Sequence, residues 1–343
     1  MPELRTDWLT GRTVLVAENR ALRPNDFAGV PAKAAERGVS TTSQSTCPFC
    51  AGHEDRTPTP VFEKRDEAGN WQIRVVPNMF PAVELPSFAS DAVSAEASTS
   101  ESTTKTFQAS PATGVHEVII ESAQHIDRLS ELSKIQLHRV LEVYAERLRH
   151  WRADGRFQYG LVFKNQGQRA GASIAHLHSQ LIALPFVPAA VEAEHLRAAE
   201  AFTADGNCPY CQLINRELAA GDRIVLHQDG FLAFCPFVSL QPYEIWLMPI
   251  EHPTSFEAYG SEAIERLTKM LHHLVRKLEG LVPDAAYNLL LRTAPWTAGC
   301  DAWSHWRFEL LPRINAIAGF EMATEVHINH VPPEQAARRL QPR

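Results

Sequence analysis

The sequence lacks any run approaching the ~20 uninterrupted apolar residues that a membrane-spanning helix needs, so no spanning segment and no membrane partner are expected. Its first residues, MPELRTDWLTGRTV, carry no apolar core behind a basic stretch. No secretory leader is read there, and a cytoplasmic protein is the expectation. Basic charge is also short: 33 Lys+Arg against 40 Asp+Glu leave a net charge of −7. That balance argues against broad, non-specific nucleic-acid binding, which needs a basic surface. Cysteine is sparse, six in 343 residues, but four of the six fall in two close pairs, Cys47-Pro-Phe-Cys50 and Cys208-Pro-Tyr-Cys211. In a reducing compartment such pairs bind metal or do redox chemistry, and neither sits in a thioredoxin-like βαβ pattern. What remains is a chain of globular composition, 45% hydrophobic and 21% charged, long enough for about two domains.

The second cysteine pair begins near the middle of the chain, which invites a test for an internal repeat. The segment from His116 to His125 aligns without gaps with that from Tyr243 to His252, each a short β-rich apolar run ending in histidine. Further on, Ala170-Gly171 leads to Ala175-His176-Leu177-His178, and Ala298-Gly299 leads to Ser304-His305-Trp306-Arg307. One discrepancy in spacing has a visible source: a Ser/Thr/Ala-rich insertion at about 84–113, too poor in large apolar residues to offset its own ordering entropy and read as a mobile loop. The two units span residues 1–190 and 191–343. Strands are expected at Trp71–Val76, Glu117–Glu121 and Tyr159–Phe163, then at Glu244–Met248, Tyr287–Leu291 and Trp306–Leu311. Helices are expected over Ser130–Trp151 and Glu262–Leu278, with a linking helix over Val191–Thr203. This order predicts an α+β fold, a mostly antiparallel sheet with flanking helices, in two tandem duplicated units.

A Cys-x-x-Cys turn offers two thiolates to one ion, and a tetrahedral zinc needs two more ligands. Each pair here is followed by two histidines at matching repeat positions. The candidate sets are Cys47, Cys50, His125 and His176, and Cys208, Cys211, His252 and His305. His116 competes for the first set, but its repeat partner is Tyr243, so His125 is preferred. The alternative is buried thiols and hydrogen-bonded core histidines. Two closed four-ligand zinc sites would be structural, fastening the chain beside the chemistry.

On a strand, His176, His178 and Gln180 project from one face. With His176 on a metal, His178 is left beside it, and a neutral imidazole keeps one unprotonated nitrogen that can attack phosphorus. The Gly/Ser-rich loop before it, through Gly171 and Ser173, offers backbone N–H groups and a hydroxyl to phosphate oxygens. Arg23 and Lys164 are candidate sources of positive charge for the phosphates, with solvated surface cations as the alternative. The second unit carries Arg307 at the nucleophile position, and an always-protonated guanidinium cannot attack.

The passage from Phe163 to Gln180 resembles the histidine-triad superfamily, and within it the galactose-1-phosphate uridylyltransferase family, whose members have two such units and a His-x-His-x-Gln strand. The resemblance covers most of the chain. Arg20-Ala-Leu-Arg23-Pro is similar to the family's N-terminal arginine motif, Cys47–Cys50 with Gly52-His53-Glu54 to its zinc motif, and Pro77-Asn78-Met-Phe-Pro to its nucleoside-binding strand end. Asn165, Gly171, Ser173 and Gln180 fall where the family contacts the transferred phosphate, and Gly319-Phe320-Glu321 resembles its sugar-reading C-terminal motif.

The resemblance implies nucleotidyl transfer. His178 attacks the α-phosphate of a nucleotide sugar and releases a sugar 1-phosphate, and a second phosphate acceptor then takes the nucleotide, UMP on the first reading. The family's C-terminal half closes over a neighbouring subunit's site, which implies a homodimer. Galactose enzymes of the common bacterial type carry lysine near Asn315, tyrosine at Phe320 and glutamine at His327. The second zinc set and Ile328-Asn-His-Val-Pro-Pro333 look more like the ADP-glucose phosphorylase branch, which transfers AMP to phosphate. Two further readings are a histidine-triad nucleotide hydrolase, opposed by Gln180, and a non-catalytic zinc-stabilised nucleotide-binding protein, opposed by the intact His178, Ser173 and Asn165.

Overall fold

In the computed structural model, described for residues 1–7, 13–22, 24, 45–85, 108–252, 255–282, 284–297 and 299–342, the chain is built on one large sheet. The first half supplies β1 (Glu3–Thr6), β2 (Thr13–Val16), β3 (Phe62–Arg65), β4 (Trp71–Pro77), β5 (Gln108–Pro111), β6 (Val115–Ile120), helix α1 (Lys134–Asp154), β7 (Tyr159–Gln166) and β8 (His178–Leu184). The second half follows with α2 (Ala189–Asp205), α3 (Pro209–Ala220), β9 (Ile224–Gln228), β10 (Phe231–Phe234), β11 (Ile245–Pro249), α4 (Ser261–Leu281), β12 (Tyr287–Arg292), β13 (Arg307–Pro312), α5 (Gly319–Thr324) and α6 (Pro333–Leu340).

Ten strands form a single sheet in the order β3-β4-β6-β8-β7-β12-β13-β11-β10-β9. Every neighbouring pair is antiparallel. Read outward from the β7–β12 seam the two halves have the same order, the topology expected of a duplicated α+β unit. The seam pairs Asn165 with Asn288 and Phe163 with Leu290. One continuous core of Ile, Leu, Val and aromatic side chains crosses it, from Ile73 and Leu141 to Leu271 and Phe308.

Each helix starts and stops for a local reason. Ser133 caps α1 by accepting from the Gln136 N–H, and Gly155 in the left-handed region ends it. The apolar face of α1 buries Leu137, Val140, Leu141, Tyr144 and Leu148. Its one buried cation, Arg147, forms a two-pronged pair with Glu117 on β6, at 2.6 and 3.1 Å, and Trp151 Nε1 donates to the same carboxylate at 3.0 Å. The linking helix α2 ends at Gly206, at φ 73.

The structure departs from the sequence expectations at the N-terminus. Residues 108–111, inside the stretch read as a loop, form β5 and pair with β1, because the N-terminal strand supplies a partner that periodicity cannot show. Residues 86–107 of that stretch lie outside the described residues. No helix among the described residues is long and apolar enough to cross a membrane.

Gly160 on β7 is a point of close approach at the seam: a Cβ there would run into the Trp296 ring from the second half. Gly160→Ala is therefore expected to destabilise the protein by about 1–3 kcal/mol, the usual cost of overpacking. Urea unfolding followed by tryptophan fluorescence measures it, and an unchanged midpoint would show that the seam yields freely.

Candidate active site and metal centres

His178 opens β8, is 9% exposed and lines a pocket between the two sides of the N-terminal half. Its Nδ1 lies 2.8 Å from the carbonyl oxygen of His176. A carbonyl can only accept, so Nδ1 carries the ring proton and Nε2 keeps its lone pair. Behind the strand, Lys164 Nζ donates to the His178 carbonyl at 3.0 Å and to Glu121 at 2.7 Å. Glu121 is fully buried and also accepts from Tyr144 Oη at 2.8 Å and from Ser179. This corrects one expectation. Lys164 is 2% exposed and faces the α1 layer, so it anchors the His178 backbone and does not line the pocket. Burial pushes its ammonium pKa down and the Glu121 carboxylate works against that.

Gln180 also lines the pocket, and its orientation is set by His116, the residue rejected as a metal ligand. The Ala82 N–H donates to His116 Nδ1 at 3.0 Å, and His116 Nε2 lies 2.9 Å from Gln180 Oε1 and 3.0 Å from Asn78 Nδ2. That contact turns the Gln180 amide nitrogen away from His116. Asn78 and Ser173 line the same pocket, with Phe49 edge-on to the His178 ring at 5.3 Å between centroids. Asn165 and Gly171 stand behind it. Asn288, from the second half, donates to Asn165 Oδ1 at 2.8 Å and to the Ala170 carbonyl at 2.9 Å. Gly171 takes φ 90, a left-handed turn that favours glycine. His116 and Asn288 are the site residues that motif reading missed as supports, and only strand register reveals them.

Arg20 donates to the Phe80 carbonyl at 2.8 Å beside Asn78. Arg23 lies outside the described residues. Phe320, 52% exposed, and Glu321, whose carboxylate accepts from the Ala318 N–H at 3.1 Å, are not brought to this pocket.

The first metal set converges. Cys47, Cys50, His125 and His176 place one ligand atom each within 4.8 Å of one another. His176 Nδ1 is 3.5 Å from Cys47 Sγ and 3.6 Å from Cys50 Sγ, and His125 Nδ1 is 3.3 Å from Cys50 Sγ. Tetrahedral zinc with bonds of about 2.1–2.3 Å separates its ligands by roughly 3.5 Å, so the four fit such an ion. His176 Nε2 donates to the Ser122 carbonyl at 2.9 Å, which fixes the ring with Nδ1 inward. Burial holds the His176 pKa down at about 3 and raises that of the Cys50 thiol.

The second set is partly assembled. Cys208, Cys211 and His252 converge, with His252 Nδ1 3.3 Å from Cys211 Sγ and its Nε2 donating to the Asp301 carbonyl at 2.7 Å. His305 is not within that cluster. Its ring stands perpendicular to His252 at 5.9 Å, much as His176 stands to His125 at 5.3 Å. Its Nδ1 instead faces the Trp306 carbonyl at 3.2 Å and its buried Nε2 has no hydrogen-bond partner among the described residues.

Where the first half has His178, the second has an ion-pair lattice. Arg307 is 4% exposed and pairs with Glu309 at 2.6 Å and with Glu194 of α2 at 2.8 Å. Arg292 holds the other Glu194 oxygen at 2.6 Å. The linking helix thus sets a carboxylate in the wall of a pocket that Tyr210, Arg292, His305 and Arg307 also line. Burial raises the Glu194 pKa, but Arg307 and Arg292 outweigh it and bring it to about 2.

A model of the galactose-1-phosphate uridyl transferase N-terminal domain matches residues 1–188. The ADP-glucose phosphorylase of Arabidopsis thaliana is 30% identical over 339 residues, covering 98% of this chain and 92% of the relative. The galactose-1-phosphate uridylyltransferase of Thermotoga maritima is 27% identical over 242 residues, covering 68% and 76%. Among solved structures, the Arabidopsis ADP-glucose phosphorylase with bound ADP-glucose superposes with a TM-score of 0.75 at 30% identity, covering 99% and 98% of the two chains. A uridylyltransferase superposes at 0.76 with 26% identity, covering 98% and 97%.

The Glu194 lattice makes a pH prediction. A carboxylate held at about 2 in the fold, against an ordinary 4.5, stabilises fully above 4.5 and loses that contribution as pH falls toward 2. Glu194→Gln is expected to cost about 3 kcal/mol at neutral pH, because Arg307 keeps only Glu309 and Arg292 loses its near carboxylate. The gap to the parent should close on acidification in denaturant titrations. A pH-independent gap would mean that the pair is not the cause.

Proposed function

The chain belongs to the galactose-1-phosphate uridylyltransferase family, and we propose that it moves a nucleoside monophosphate between a nucleotide sugar and a phosphate-bearing acceptor through His178. The observation that carries this is the His178 ring, whose Nδ1–H donates to the His176 carbonyl and whose Nε2 is the basic nitrogen, in a pocket that Asn78, Ser173 and Gln180 also line. Nε2 attacks the α-phosphorus, and the bond to the sugar 1-phosphate oxygen breaks as the nucleotidyl–histidine bond forms. The sugar 1-phosphate leaves, and an acceptor phosphate oxygen reverses the step. Gln180 presents its amide nitrogen to a phosphoryl oxygen and cannot act as a general base toward water, which keeps the intermediate for the acceptor. Ser173, Asn165 and Gly171 surround the phosphates, while Asn78, Arg20 and Arg23 hold the nucleotide.

Uridylyl transfer between hexose 1-phosphates is the first reading. Adenylyl transfer from ADP-glucose to phosphate is the second, favoured by the full-length likeness to an ADP-glucose phosphorylase. On either reading residues 1–190 form the catalytic unit and residues 191–343 a scaffold unit. Two zinc ions complete the assembly. One is held by Cys47, Cys50, His125 and His176, the other by Cys208, Cys211 and His252 with His305, whose buried, unpartnered Nε2 suits a fourth ligand. Burial, with Cys208 alongside, raises the Cys211 pKa to about 12, and a cation would relieve that by favouring the thiolate. A homodimer in which the 319–330 segment reaches the partner's site accords with the exposure of Phe320, Met322 and Ile328.

Incubation with UDP-glucose or ADP-glucose, each without acceptor, is expected to add one UMP or one AMP to the intact chain mass. The adduct should be absent in His178→Gly, and the adduct mass names the base. Failure to trap any adduct with either donor would overturn the mechanism. Elemental analysis is expected to find two zinc ions per chain, falling toward one in Cys208→Ser. A content near zero would return these residues to the core.

A further inference from the structure

Away from the pocket of His178, a cleft of about 690 Å³ opens between α4, the start of α1, β9 and the C-terminus, sharing no lining residue with that pocket. One face of α4 supplies Lys269, His272, His273, Arg276 and Lys277, at the spacing that stacks side chains along a helix, and Lys134 faces them from the first turn of α1. Among the described residues no Asp or Glu side chain lines the cleft. In a chain of net charge −7 this is a local concentration of positive charge and not a reflection of the whole. The nearest acid, Glu265, pairs with Lys269 in the open at 2.8 Å, where such a pair holds little energy. Leu226 and Met270 give the cleft an apolar floor.

Two details point to a ligand. The buried Nε2 of His273 has no hydrogen-bond partner among the described residues. Burial, then the neighbouring Arg276, Lys277 and Lys134, lowers the pKa of both histidines, so they remain neutral donor–acceptor rings amid fixed cations.

We propose that this cleft is a binding site for a small polyanion carrying two or more phosphate groups, separate from the catalytic pocket. Its volume is that of a metabolite site, larger than one phosphate needs. Its cations lie along one helix face at spacings that two or more linked phosphates can span.

Tripolyphosphate titrated into the full chain at constant ionic strength tests it. One bound anion per chain is expected to persist in His178→Gly and to weaken at least tenfold in Lys269→Ala/Arg276→Ala, two exposed positions whose change leaves the melting profile in place. Binding lost in His178→Gly but kept in the double variant would place the anion in the catalytic pocket and overturn the proposal. Equal, weak binding of sulfate and tripolyphosphate would mark a non-specific anion surface and overturn it too. Preference for a single-stranded oligonucleotide over tripolyphosphate would equally reject a small-molecule site.

Discussion

The antiparallel pairing of β7 with β12 is the contact on which the site depends. It joins two five-stranded sheets edge to edge, so that neither unit leaves its innermost strand unpaired. It also sets the register that puts Asn288 opposite Asn165, and from there the second half braces the loop leading to Ser173 and His178. A unit cut free at this seam would expose the backbone of β7 and lose the Asn288 support together.

Around that seam the same architecture serves two different ends. In the first unit the position two residues after the cluster histidine is His178, with its proton committed and its lone pair kept. In the second it is Arg307, neutralised by Glu309 and by Glu194 from the linking helix. The helix layer makes a parallel distinction. Lys164 is buried against Glu121 and holds the His178 carbonyl, whereas Arg292, at the matching position of β12, turns to Glu194. The two halves share the sheet order and a cysteine–histidine cluster, but differ at this position.

Much of the site was legible in the sequence because its chemistry is tied to residue type. Cys47, Cys50, His125 and His176 could be grouped from spacing and repeat position, and they converge in space. His305 carried the same signal, yet its ring turns to the Trp306 carbonyl, a rotamer that spacing does not encode. Lys164 was misread for a related reason. It sits beside a phosphate-type loop in sequence, but strand alternation sends it to the helix face while Asn165 turns the other way. The N-terminal sheet was missed because β1 and β2 are only four residues each and β5 joins them across about a hundred residues, which leaves no local period.

By itself the sequence determined the two-unit α+β plan, the cysteine–histidine clusters and His178 as the nucleophile candidate, since hydrophobic period, ligand type and repeat spacing are all local. Only the tertiary structure decided what orients those groups: His116 setting the Gln180 amide, Lys164 and Glu121 holding His178 from behind, Asn288 reaching across the seam, and Glu194 pairing with Arg307 and Arg292. Each of these depends on which strands become neighbours and which face a side chain takes. Those are properties of the packed sheet, absent from any one stretch of chain.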